Sequence, residues 1–142
     1  MGMTTKEYLG QIERLDRMIQ NKLSEISQLR HMASSITVAP KDVNVQSSGE
    51  QDRLGAVIAK LVDLENETND LVDEFVNKRK KIISQIDEME DVNMYHILSE
   101  RYVARKDFNV ISVEMGYSFK QVTRIHGNAL FEFEKKYGHE YM

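Results

Sequence analysis

The sequence predicts an all-α protein, a long antiparallel helical hairpin of coiled-coil type followed by a C-terminal pair of short helices joined by a tight turn. Three observations carry that expectation. Only one proline and seven glycines interrupt the 142 residues, and Leu, Ile, Glu, Lys, Gln and Met recur, a composition that favours helix over sheet. Apolar residues return at heptad spacing along two long stretches, 5–33 and 51–89, as a helical seam requires. Between Asn109 and Leu130, a glycine and a Ser-x-x-Gln pattern separate two short apolar stripes. With 41% hydrophobic and 30% charged residues, the chain should fold.

Thr4 or Thr5 can cap the first helix, because a side-chain oxygen there accepts a free backbone N–H and Glu7 favours the positive end. Ile12, Ile19, Ile26 and Ala33 follow by sevens, with Tyr8, Leu15 and Leu29 on the companion line. Lys22 breaks that line, and the neighbouring Leu23 is expected to fill the seam. Residues 34–50 lose the helical period and hold Pro40, so they read as a loop of unusual length. The alternation of Ile36, Val38, Val43 and Val45 leaves a short β-hairpin around Pro40 as an alternative.

The second long helix should run from about 51 to 89. Leu54, Leu61, Thr68, Phe75, Ile82 and Met89 are spaced by sevens, flanked by Val57, Leu64 and Leu71, with Ile58, Val72 and Ile86 widening the stripe. Its length, roughly 60 Å at 1.5 Å per residue, exceeds what the first helix can cover, so either the C-terminal domain or a second chain must cover the remainder, and self-association into a homodimer is expected. The Asp91–Asn93 stretch offers caps for a third helix over about 93–104, with Ile97, Leu98, Tyr102 and Val103 as its apolar face. The expected organisation is therefore a scaffold over 1–90, a small domain over 91–138 and a frayed tail over 139–142.

Within that domain, Ile111, Met115, Val122 and Ile125 sit where two helices must pack on each other, and Gly116 sits at the turn. A positive φ there suits glycine and resists residues with a Cβ. Ser118 and Gln121 make the pattern in which each side chain satisfies a free N–H of the first turn. Between Ser118 and Leu130 the ionisable residues are Lys120, Arg124 and His126, with no acid among them. A net charge of −4 argues against general coating of nucleic acid, so any contact with double-stranded DNA must come from such a local patch.

These residues resemble the fourth conserved region of bacterial sigma factors and, more closely, the sigma-region-4-like phage and prophage regulators of Gram-positive bacteria. The resemblance is carried by Gly116, Tyr117, Ser118, Gln121, Val122, Arg124, Ile125, His126, Ala129 and Leu130, with His96, Ile97, Leu98, Arg101 and Tyr102 matching the preceding helix. It covers roughly residues 91–138. It implies a helix-turn-helix whose second helix enters the major groove, and a cytoplasmic transcriptional regulator that recruits or modulates RNA polymerase at phage promoters. Docked in that way, Ser118, Phe119, Lys120, Gln121, Thr123 and Arg124 face the DNA, and Asn128 reaches a backbone phosphate. Arg124 suits bidentate contact with guanine, whereas Lys120 and Ser118 suit phosphates. Gln121 is divided between cap and DNA, and Phe119 between packing on the third helix and a thymine methyl.

Other chemistry finds little footing. The chain has no cysteine, and its four histidines lack metal-ligand spacing, so neither a metal nor another cofactor is expected. No Gly-rich phosphate loop is present, and His96 with Glu100 reads as a helical ion pair. The expectation is that the chain is not an enzyme. No apolar run approaches the ~20 residues that span a membrane. Asn66-Glu67-Thr68 fits a glycosylation pattern but lies inside a helical repeat. The basic run Lys78–Lys81 reads as a solvated face paired with nearby acids, or as a second nucleic-acid or partner contact. His126 reads as an ordinary, partly exposed helix histidine. Two rival functions remain: a phage DNA-packaging adaptor of the small-terminase kind, which also joins such a motif to oligomerising helices, and a structural coiled-coil protein without DNA binding.

Overall fold

The computed structural model describes residues 2–38 and 48–142, and within them every regular element is helical. In order these are α1 (Thr5–Leu9), α2 (Gln11–Val38), α3 (Ser48–Asp87), α4 (Val92–Leu98), a π-helical turn (Ser99–Val103), α5 (Phe108–Met115), α6 (Phe119–Tyr137) and a 3-10 turn (Gly138–Glu140). The chain divides into two compact units, one formed by Met1–Leu15 with Phe75–Met142, the other by Asp16–Glu74. The expected boundary near residue 90 is therefore displaced. Residues 8–12 and 82–86 belong with the C-terminal helices because their apolar faces share one core with them.

In that first unit, Thr4 is the residue that caps α1, with Glu7 completing a reciprocal box at 3.1 and 3.3 Å. Thr5 is instead buried, its hydroxyl 2.7 Å from that of Tyr141. The single first helix expected over 5–33 arrives as two, parted at Gly10. Tyr8, Leu9, Ile12, Ile82, Ile86, Leu98, Tyr102, Ala129 and Phe133 form the main core. Fully burying such side chains is worth roughly 1.5–3 kcal/mol each.

The C-terminal residues are not a frayed tail. Tyr141 stacks on Tyr8 with ring centres 4.2 Å apart, and its carbonyl accepts from Met3 N at 2.8 Å. Glu140 takes Gln85 Nε2 at 2.9 Å and Lys81 at 3.3 Å. Tyr8 donates to Gln85 Oε1 at 2.6 Å, so a polar chain runs through the packed ends of three elements. Lys81 thus finds its acid across the fold. Lys78, Arg79 and Lys80 make no ion pair among the described residues, and the neighbouring Glu88 pairs with Lys136 at 3.6 Å.

Beyond Asp87, Asp91 caps α4 by accepting from Met94 N at 3.0 Å. The third helix does not stay α-helical to 104, because after Leu98 the chain widens into the π turn, closed by Ala104 N to Ser99 O at 3.0 Å. Arg105 then takes a left-handed φ of 61°, a conformation that a residue with a Cβ seldom adopts. Lys106 closes the corner, reaching Glu100 at 2.5 Å and Glu114 at 3.0 Å. Glu100 accordingly pairs with Lys106, where the sequence suggested His96.

In the second unit, α2 and α3 bury Ile19, Ile26, Val57 and Leu64, together with Thr68. The Thr68 hydroxyl is satisfied by donating to Leu64 O at 2.6 Å. Lys22 meets Glu67 at 3.1 Å and Arg30 meets Glu65 at 2.9 Å. Both pairs are solvated and stabilise by ~1 kcal/mol or less. Leu23 does not fill the seam. It is 45% exposed. Helix α2 continues through Ile36 to Val38, which removes the first strand of the alternative β-hairpin and shortens the expected loop. Its other half, at Val43 and Val45, lies outside the described residues.

Candidate nucleic-acid interface

A second, smaller core holds α5 and α6 together. Ile97, Ile111 and Val122 are fully buried there, with Phe108, Met115 and Ile125 packed around them. The four residues expected to join the two helices thus do so, and Ile97 of α4 closes the cluster from behind. Asp107 caps α5 by accepting from Val110 N at 3.0 Å. At the other end Gly116 takes φ 70°, ψ 24°, the left-handed conformation that lets the chain turn without a Cβ clash. Ser118 then accepts from Gln121 N at 3.2 Å while Gln121 Oε1 accepts from Ser118 N at 2.9 Å.

The seven candidate residues on this motif fall into four groups. Ser118 and Gln121 are exposed but committed to each other, which settles the local role of Gln121 as a cap. Thr123 is half-buried and donates its hydroxyl to Lys120 O at 3.0 Å. Phe119, 52% exposed, sets its ring at right angles to Phe108 of α5, 6.3 Å away, and not against the third helix. Lys120, Arg124 and Asn128 are exposed, one turn apart, and their side chains have no hydrogen-bond or ionic partner among the described residues.

His126 corrects the sequence reading. It is 6% exposed, with Nε2 2.7 Å from the Tyr102 hydroxyl and Phe108 edge-on at 4.8 Å. Burial, with Lys6 and Arg101 adding to it, lowers its pKa to about 4, so the ring is neutral at pH 7 and contributes no charge to the patch. Burial likewise pushes Tyr102 up to about 12. Arg101, stacked 4.7 Å from the Phe108 ring and donating to Lys106 O, braces the same corner. In the acid-free first part of α6 the cationic face therefore consists of Lys120 and Arg124.

Sequence reasoning missed Gly127. It lies inside α6, exposed, and apart from its own helix backbone no atom of the described residues lies within 4 Å of where a Cβ would stand; its φ is not unusual. Such a glycine destabilises a helix by roughly 0.5–1 kcal/mol relative to alanine. It also missed Asp107, although an Asp just before an apolar run is a legible cap. Among the described residues no group of three or more His, Asp and Glu is placed to hold a metal ion, and no helix is long and apolar enough to cross a membrane. Set against known proteins, the chain matches no family model, no curated protein and no solved structure.

Proposed function

We propose that this chain is a sequence-specific DNA-binding transcriptional regulator of phage or prophage type. In this reading α5, the Gly116 turn and α6 are a helix-turn-helix of the sigma-region-4 kind, and α6 lies in the major groove of double-stranded DNA. Helices α2 and α3 are the antiparallel scaffold through which two copies associate in the cytoplasm, and RNA polymerase is the partner recruited or modulated at the promoter. The observation that carries the reading is the outer face of α6. Lys120, Arg124 and Asn128 stand there free of internal partners, on a stretch without an acid, behind a turn whose every cap is filled. Cations held apart from any internal carboxylate remain available for phosphates and base edges.

The test is a binding titration of wild type, Arg124→Ala and Lys120→Ala against duplex DNA that the wild-type protein selects from a random pool, at several salt concentrations. Arg124→Ala should cost ~1–3 kcal/mol and relax preference at one base pair. Lys120→Ala should weaken all sequences about equally and lower the salt slope by roughly one unit. If neither substitution changes affinity, α6 does not enter the groove. A ring of many copies would favour the packaging adaptor, and failure to bind any duplex at low salt the purely structural protein.

A further inference from the structure

We infer that Gly127 is the point at which α6 comes closest to the sugar–phosphate backbone of the duplex, and that its missing side chain is what lets the helix seat. The inference rests on the DNA-binding reading and extends it to a residue that offers no group of its own. Lys120, Arg124, Gly127 and Phe131 follow at steps of four, three and four, which puts them on one line of the helix. Nothing inside the protein requires glycine there. The φ is ordinary, a Cβ would meet no described atom within 4 Å, and the residue is exposed in the middle of a helix that alanine would strengthen. A helix interior kept weak where the fold has room for a side chain points to an outside body that lacks that room, as where a backbone must approach a ligand closely.

Charge identifies that body as nucleic acid. From Ser118 to Phe131 the chain has no acid, and the cations one and two turns before Gly127 have no internal partner. Asn128, next in sequence, is placed to donate its amide to a phosphate on the strand that passes over the glycine. Gly55, inside α3, supplies the contrast. It too is exposed with open surroundings among the described residues, but Asp52 and Arg53 of opposite charge precede it. No single-signed surface surrounds it.

Gly127→Ala, Gly127→Leu, Gly55→Ala, Arg124→Ala and Lys120→Ala are to be compared with wild type by thermal unfolding and by fluorescence anisotropy with a labelled duplex selected by the wild-type protein. Both alanine replacements of glycine should raise the unfolding midpoint by about 2–4 °C. Gly127→Leu should remain folded and bind the duplex at least about tenfold more weakly, with Gly127→Ala between it and wild type, while Gly55→Ala binds as wild type does. If Gly127→Leu binds as tightly as wild type while Arg124→Ala or Lys120→Ala does not, the close approach is elsewhere and the DNA reading survives without it. If wild type selects no duplex, or neither Arg124→Ala nor Lys120→Ala changes affinity, the reading fails and the inference falls with it.

Discussion

The two compact units use similar helices to very different effect. In the unit of Met1–Leu15 and Phe75–Met142, Leu9, Ile12, Ile82, Ile86, Ile97, Leu98, Ile111, Val122, Ala129 and Phe133 are at most 1% exposed. In the unit of Asp16–Glu74 the most buried apolar residue among those described, Ile26, is still 5% exposed, while Leu23, Ile58 and Val62 are 45–49% exposed. The difference is geometric. A helix covered on several sides can bury a wide stripe, whereas two helices alone bury only the line along which they touch. Heptad repeats of equal quality therefore produce a closed core in one unit and a half-covered seam in the other.

Truncation is the most direct way to break that contrast. Phe133→Ala should cost ~3–5 kcal/mol, against about 2 kcal/mol for Leu64→Ala, because the open seam collapses around a lost side chain more readily than the closed core. Urea denaturation followed by circular dichroism measures both, and equal costs would mean that the second unit is as well packed as the first. The exposed flank then sharpens the comparison. If Ile58 and Val62 are covered by a second copy, Ile58→Glu with Val62→Glu should raise the dimer dissociation constant by roughly a hundredfold, about 3 kcal/mol. Helix content should be kept, since neither side chain lies in the α2–α3 seam. Light scattering that gives a monomer mass for the wild type at high concentration would refute the dimer.

Smaller effects probe the packed unit. His126 has a folded pKa lowered to about 4, below its unfolded value of ~6.5. The unfolded chain therefore takes up the proton first. Its contribution is complete above pH ~6.5 and is lost as pH falls from there toward 4, a loss on the order of 2 kcal/mol. His126→Gln, which can still hydrogen-bond to Tyr102, should flatten the stability profile in that window, and an unchanged profile would place the titration elsewhere. Ser118→Ala should cost about 1 kcal/mol through the lost cap of α6. Hydrogen exchange of the Gln121 and Val122 amides should localise that loss to the first turn.

Much of this architecture is legible in the chain. The seam residues Ile111, Met115, Val122 and Ile125, the left-handed Gly116, the Ser118–Gln121 box and the long helix over 51–89 all follow from relations within a few residues. So does the acid-free run of α6. Some local features escaped, among them the Asp107 cap and the Glu100–Lys106 pair, but most of what escaped depends on residues far away in sequence. Tyr141 docks on Tyr8, Lys81 turns to Glu140 and Glu100 to Lys106, and none of these partners can be named from periodicity.

By itself the sequence determined the helical class, the turns and the caps, because backbone hydrogen bonds at i to i+3 and i to i+4 and the φ freedom of a single glycine are local matters. Only the tertiary structure decided burial and charge. His126 is neutral because Tyr102, Phe108 and Arg101 enclose it, Leu23 is exposed because only one helix lies opposite, and Gly127 stands open because no element crosses α6 there. Desolvation depends on everything within a few ångströms in space, and the sequence does not order its residues by that distance.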